Sequence, residues 1–246
     1  MTRYTLLQDA QNRMRMVFES DDSSRFRRHI LDTYFSTRVI IASLSIIFPF
    51  LLWLVGMLLL DLKLQGSISA YYHTQLRDVF VGILFAVGAS LYSYKGYTTT
   101  EDFVLDGAGF LAVGIALIPT SAPAEKLACD TFTAPFWHGI CAISFFAAIA
   151  YVCIFQAKGS LEKSPLSRER KQFYYGIYWI LGILILALPI GAALWLTVIG
   201  ETGSIVFWIE AAAILVFSFY WIIKTLEVRE SGLEEMEQFC SPKSNS

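Results

Sequence analysis

The sequence predicts an all-α integral membrane protein, a bundle of six transmembrane helices with N- and C-termini in the cytoplasm. Three observations carry that prediction. The chain is 55% hydrophobic and 16% charged, with a mean hydropathy of +0.53, outside the usual range of a soluble domain. Its apolar residues gather into six runs at or near the length a bilayer requires. Its basic residues fall almost entirely on one side of those runs.

In chain order, residues 1–38 form a basic leader carrying Arg3, Arg13, Arg15, Arg25, Arg27, Arg28 and Arg38. Within it, RFRRHILDTYFSTR mixes arginines with Phe26, Ile30, Tyr34 and Phe35. That pattern suits an amphipathic helix on an anionic cytoplasmic leaflet, and equally a solvated leader that only sets topology. No cleavable signal peptide is visible, because this segment is polar and Arg-rich where a short apolar core would be needed.

The transmembrane domain, 39–224, comprises the runs Val39–Leu60, Val79–Tyr94, Phe103–Thr120, Pro135–Gln156, Tyr174–Ile199 and Ile205–Lys224. A span needs about 20 mostly apolar residues, so the second and third runs must borrow polar flanks. Tyr, Trp and Lys mark the run ends as interface anchors do. Pro49 and Pro189 fall inside runs, and LPIG at Leu188–Gly191 should bend the fifth helix, since proline lacks a backbone donor. Residues 225–246 read as an acidic cytoplasmic tail, a short helix that frays.

With the N-terminus inside, every Lys and Arg except Lys63, Arg77 and Lys126 lies on the cytoplasmic side. This bias supports six spans in the cell membrane. The formal net charge of -2 gives no field for nucleic acid. The four cysteines, Cys129, Cys141, Cys153 and Cys240, form no C-x-x-C pair and read as free thiols.

The same topology sorts polar residues into two layers. Ser67, Ser69, Tyr72, His73, Arg77, Asp78, His138 and Glu210 fall at the outer side, and Lys95, Glu101, Asp102 and Asp106 at the inner side. On a helical wheel Asp78 shares a stripe with Gly82, Ala86, Ala89 and Ser93, small residues that let helices approach, so this face is expected to pack inward. Glu210 lies well inside the sixth run, in VFWIEAAAI. A carboxylate exposed to lipid there is expensive, so Glu210 should face inward toward His73, Arg77 or His138.

The blocks SISAYYHT…RDVFVGILFAVG…YKGY, AGFLAVGIALIPT and VFWIEAAAILVFSFYWIIK carry a resemblance to a family of bacterial multi-span membrane proteins known as a domain of unknown function. The resemblance runs from about Ser67 to Lys224 and implies an integral helical protein. A fainter similarity is to the ceramidase-like intramembrane hydrolases. The chain departs from them in having six runs where they have seven spans, and no H-x-x-x-H late in the chain.

These features predict a polar pocket at the outer boundary that binds, and on one reading processes, a lipid headgroup or amphiphile. His73 or His138 would be the general base, oriented by Asp78 or Glu210. Ser69 and Tyr72 would bind substrate, and Arg77 would hold an anionic headgroup. The alternative is a non-enzymatic oligomeric sensor, effector or pore built on the small-residue faces. Hydrolase, metalloprotease, P-loop and dinucleotide motifs are absent from the sequence. A metal site from His73, His138 and Glu210 or Asp78 is chemically open to these residues, but no spacing demands it, and no cofactor is assigned. Membrane lipids are the expected partners, together with a second copy of the chain on the oligomeric reading.

Overall fold

The computed structural model describes residues 3–120, 133–200 and 203–232. These residues are helical between short connectors, with no β-strand among them. The helices are α1 (Arg3–Leu59), α2 (Arg77–Ser93), α3 (Thr99–Leu117), α4 (Thr133–Tyr151), α5 (Ala157–Lys163), α6 (Arg168–Val198) and α7 (Ile205–Ser231). A 3₁₀ turn, Ser69–His73, precedes α2, and a π-helical turn, Val152–Gln156, joins α4 to α5.

Among the described residues, four segments are long and apolar enough to cross a membrane: Leu31–Leu59, Ala134–Lys163, Arg168–Val198 and Ile205–Ser231. The second and third runs fall short of that standard. α2 has only 17 residues, and the 19 residues of α3 include Glu101, Asp102 and Asp106. Even so, both are full members of the bundle. α1 packs on α2, α2 on α3, α3 on α4, α4 on α6, α6 on α7, and α7 returns to α1, closing a ring. The outward faces are apolar, with Ile47, Phe50 and Leu58 exposed on α1 and Ile180, Ile183 and Leu194 on α6. Such a surface suits hydrocarbon rather than water.

The expected boundaries at residues 38 and 225 are not breaks in the backbone. α1 runs without interruption through both leader and span, and Arg38 is buried against the bundle. α7 continues past Lys224 to Ser231, with Lys224, Glu227, Val228 and Ser231 all buried. Those four positions keep one helical stripe facing inward, at i, i+3, i+4 and i+7. Gly232 then ends the helix at φ 58°, a left-handed conformation that glycine adopts without steric cost. The rest of the predicted acidic tail lies outside the described residues, as do Cys129 and Cys240. Cys141 and Cys153 are free thiols.

The stripe predicted to pack inward on α2 does not. Asp78, Gly82, Ala86, Ala89 and Ser93 are exposed, and the buried face is Phe80, Val87, Gly88 and Leu91. Burial of the bulky side chains outweighs the close approach that a small-residue face allows. Close approach occurs instead at one point on the buried face. A Cβ on Gly88 would stand 2.8 Å from the Gly109 carbonyl oxygen, and one on Gly109 would stand 2.6 Å from that of Gly88. Gly88→Ala is therefore expected to destabilise the protein by about 1–3 kcal/mol through overpacking, read as a lower thermal midpoint in detergent. Ala86→Leu should leave the midpoint unchanged, and a reversal of these two results would place the packed face where the stripe is.

Candidate functional site

The site is built on the connector between α1 and α2. α1 stops as Asp61 turns to φ 48° and the Leu62 N–H closes on the Gly56 carbonyl at 2.9 Å. Aspartate is among the few residues that tolerate this conformation. The connector then crosses to the start of α7, where the Phe207 N–H donates to the Gly66 carbonyl at 2.9 Å. One turn into α7, Glu210 Oε2 accepts the Ile68 N–H at 2.7 Å, and the Ser69 amide joins the same carboxylate. Ser67 Oγ accepts the Ala70 N–H at 3.0 Å and starts the 3₁₀ turn. Tyr71, in that turn, is buried against Phe207 with ring centroids 6.1 Å apart. Burial pushes its phenol above the ordinary value.

The end of α3 meets this connector. A helix terminus leaves carbonyls without partners, and three side chains bond carbonyls at this terminus and just beyond it. His138 Nδ1 lies 2.7 Å from the Ile118 carbonyl, His73 Nε2 lies 2.8 Å from that of Thr120, and Tyr72 Oη reaches that of Leu117 at 3.5 Å. A carbonyl only accepts, so His138 Nδ1 carries the proton and Nε2 presents its lone pair. That lone pair faces Ser69 Oγ at 3.0 Å, so the Ser69 hydroxyl donates to His138.

Beneath these groups lies a cavity of about 330 Å³, within the ordinary range for ligand pockets. Ser67, Ser69, Thr120, His138 and Glu210 line its head. Apart from Ser45, its shaft is apolar, walled by side chains such as Phe80, Leu84, Val87, Ile115, Phe145 and Phe217. Phe145 and Phe217, at 5.6 Å between centroids, stack onward to Trp221 at 6.3 Å from Phe217.

The predicted site residues thus divide. Ser69, His138 and Glu210 meet at the cavity head, and His73 reaches Thr120, one of the lining residues. Tyr72 and Arg77 pair with each other, the guanidinium donating to Tyr72 Oη at 2.7 Å and lying 4.4 Å from the ring centroid. Neither lines the cavity. Asp78 is exposed on the first turn of α2, where a negative charge is favourable in any helix. The carboxylate partner of Glu210 is backbone, where a histidine or arginine side chain was expected. Among the described residues no three His, Cys, Asp or Glu side chains gather as metal ligands.

A second buried cluster, not foreseen from sequence as a group, sits about 21 Å farther along α7 at 1.5 Å per residue. Lys224 Nζ lies 3.0 Å from Glu227 Oε2 and also donates to Ser160 Oγ. Tyr178 Oη donates to Glu227 at 2.7 Å, and the rings of Tyr97 and Tyr178 lie 5.2 and 5.6 Å from the ammonium. The π-helical turn carries the chain to Ser160, and it comes close to α6 because Gly182 has no side chain. A Cβ there would stand 2.5 Å from Ile154. The signal for this cluster was the helical stripe from 224 to 231, obscured by ending the span at its first charge. No known family model, characterised protein or solved structure matches this chain.

Removing one member of a buried ion pair strands the other charge, at a cost of about 3–5 kcal/mol. Lys224→Ala should therefore lower the thermal midpoint far more than Lys158→Ala, whose partner Glu162 is a surface neighbour on the same helix. Equal effects in a detergent melt would mean that the Lys224 pair is hydrated.

Proposed function

We propose that this protein is a six-span cell-membrane protein, both termini cytoplasmic, that binds a single-chain amphiphile in a cavity opening toward the outer leaflet. The observation that carries the reading is the composition of the cavity wall, a small group of hydrogen-bonding side chains at the connector and a much larger apolar remainder. An amphiphile has the same division, and each buried methylene contributes about 0.8 kcal/mol. The head holds a carboxylate and no cation, since Arg77 is spent on Tyr72. This favours a neutral, hydroxylated headgroup over the anionic headgroup that Arg77 had suggested.

Orientation follows from charge. Lys63 lies in the connector at the cavity head, whereas Lys158, Lys163, Arg168, Arg170 and Lys171 crowd the opposite end. Membrane-impermeant thiol labelling of intact cells should modify a cysteine at Lys63 and spare one at Lys158, both exposed positions. The opposite pattern would invert the topology.

Binding is testable with 1-O-dodecylglycerol, a neutral ether that cannot be hydrolysed, added to the purified protein in lipid nanodiscs. One molecule per chain is expected by native mass spectrometry. Ala142→Trp fills the shaft one turn beyond His138 and should weaken binding by at least about tenfold, or 1.4 kcal/mol. Equal binding by wild type and this variant would locate the amphiphile elsewhere.

A further inference from the structure

We propose that Ser69 and His138 are a nucleophile and general base that hydrolyse the ester of an acyl amphiphile held in the cavity. This rests on reading the cavity as an amphiphile site and adds a reaction to it. A serine is activated when a base within hydrogen-bond reach takes its proton and a third group holds that base in the right tautomer. All three parts are present. Ser69 Oγ stands 3.0 Å from His138 Nε2, and the Ile118 carbonyl at 2.7 Å from Nδ1 fixes the proton on the far nitrogen.

The surroundings match the chemistry. Ser69 and His138 both line the cavity, with the apolar shaft leading away from them. An acyl chain in the shaft brings its carbonyl carbon to Ser69 and leaves its alcohol at the polar head. Ser67, on the same wall, offers its O–H to the carbonyl oxygen. Glu210 is a positioning residue: its carboxylate holds the Ile68 and Ser69 backbone, so Ser69 Oγ stays on the histidine.

Ser160, a buried serine beside a basic group, cannot do the same. Ser160 contacts Lys224, but Lys224 is ion-paired to Glu227, and Ser160 and Lys224 are 0% and 1% exposed. A paired ammonium has no lone pair to take a proton, and no substrate reaches it.

The reaction balances with water as co-reactant. Ser69 Oγ bonds to the carbonyl carbon as its proton passes to His138 Nε2. The ester C–O bond breaks, and the departing alcohol takes that proton. Water then attacks the acyl-serine and gives its proton to His138, which returns it to Ser69 Oγ. The products are a fatty acid and an alcohol. A carbonyl behind the histidine supplies orientation without the full negative charge of a carboxylate, so turnover should be modest.

The test uses the full chain in phosphatidylcholine nanodiscs, with monolauroylglycerol as substrate and a fluorophosphonate as probe. Mass spectrometry should place the phosphonyl adduct on Ser69 of the wild type. Ser69→Ala should abolish adduct and hydrolysis while keeping a cooperative thermal melt in detergent, which separates catalysis from folding. His138→Asn should lower hydrolysis by at least about 100-fold, the low end for loss of a general base. Wild-type protein that binds the ether but neither hydrolyses the ester nor takes the adduct at Ser69 overturns this proposal and leaves the binding site standing. Failure to bind the ether removes both.

Discussion

A carboxylate buried among apolar helices must find donors, and a backbone segment entering that space must find acceptors. Glu210 and the Ile68–Ser69 amides solve the two problems together. Much of the cavity head depends on this contact. It pins the connector over the mouth of the ring, sets Ser69 against His138, and lets the 3₁₀ turn bring Tyr72 to the last carbonyl of α3 and His73 to that of Thr120 just beyond it. Without the carboxylate, the inward-facing Ile68 amide would be left unpaired, at about 1–3 kcal/mol.

The opposite end of the ring obeys the same rule with charges. Lys224, Glu227, Ser160 and Tyr178 satisfy one another across α5, α6 and α7. Between the two polar ends lies a band of aromatic side chains, Phe145, Phe217, Trp221, Tyr94 and Tyr220, in edge-to-face contact. The band gives the cavity a floor, and a hydrocarbon chain entering from the head meets Phe217 before any charge. One ring thus holds an open polar site and a sealed one, separated by aromatic side chains.

Much of this was legible from residue order. Hydropathy placed helix on each of the six apolar runs, four of them in segments long and apolar enough to cross a membrane. The inward turn of Glu210 followed from the cost of a carboxylate at membrane depth. What escaped were features that depend on rotation and on backbone. The small-residue stripe of α2 was assigned to the wrong face because Phe80, Val87 and Leu91 bury more area than glycine and alanine do. Asp78 went outward with that stripe, and Arg77 found an aromatic neighbour five residues back. The partner of Glu210 was sought among side chains, since backbone amides leave no mark in a sequence. The Lys224 cluster was divided between a span and a tail because the charge that ended the apolar run was itself buried.

The central claim is that Glu210 turns inward to the connector and keeps an amphiphile-shaped cavity open beneath it. An experimental density map of the protein in lipid nanodiscs tests this most directly. The account predicts the Glu210 carboxylate on the Ile68 amide, with elongated density running from Ser69 toward Phe217. A map with Glu210 turned out toward the lipid, and with Phe80 and Phe217 collapsed together across the space, would contradict it.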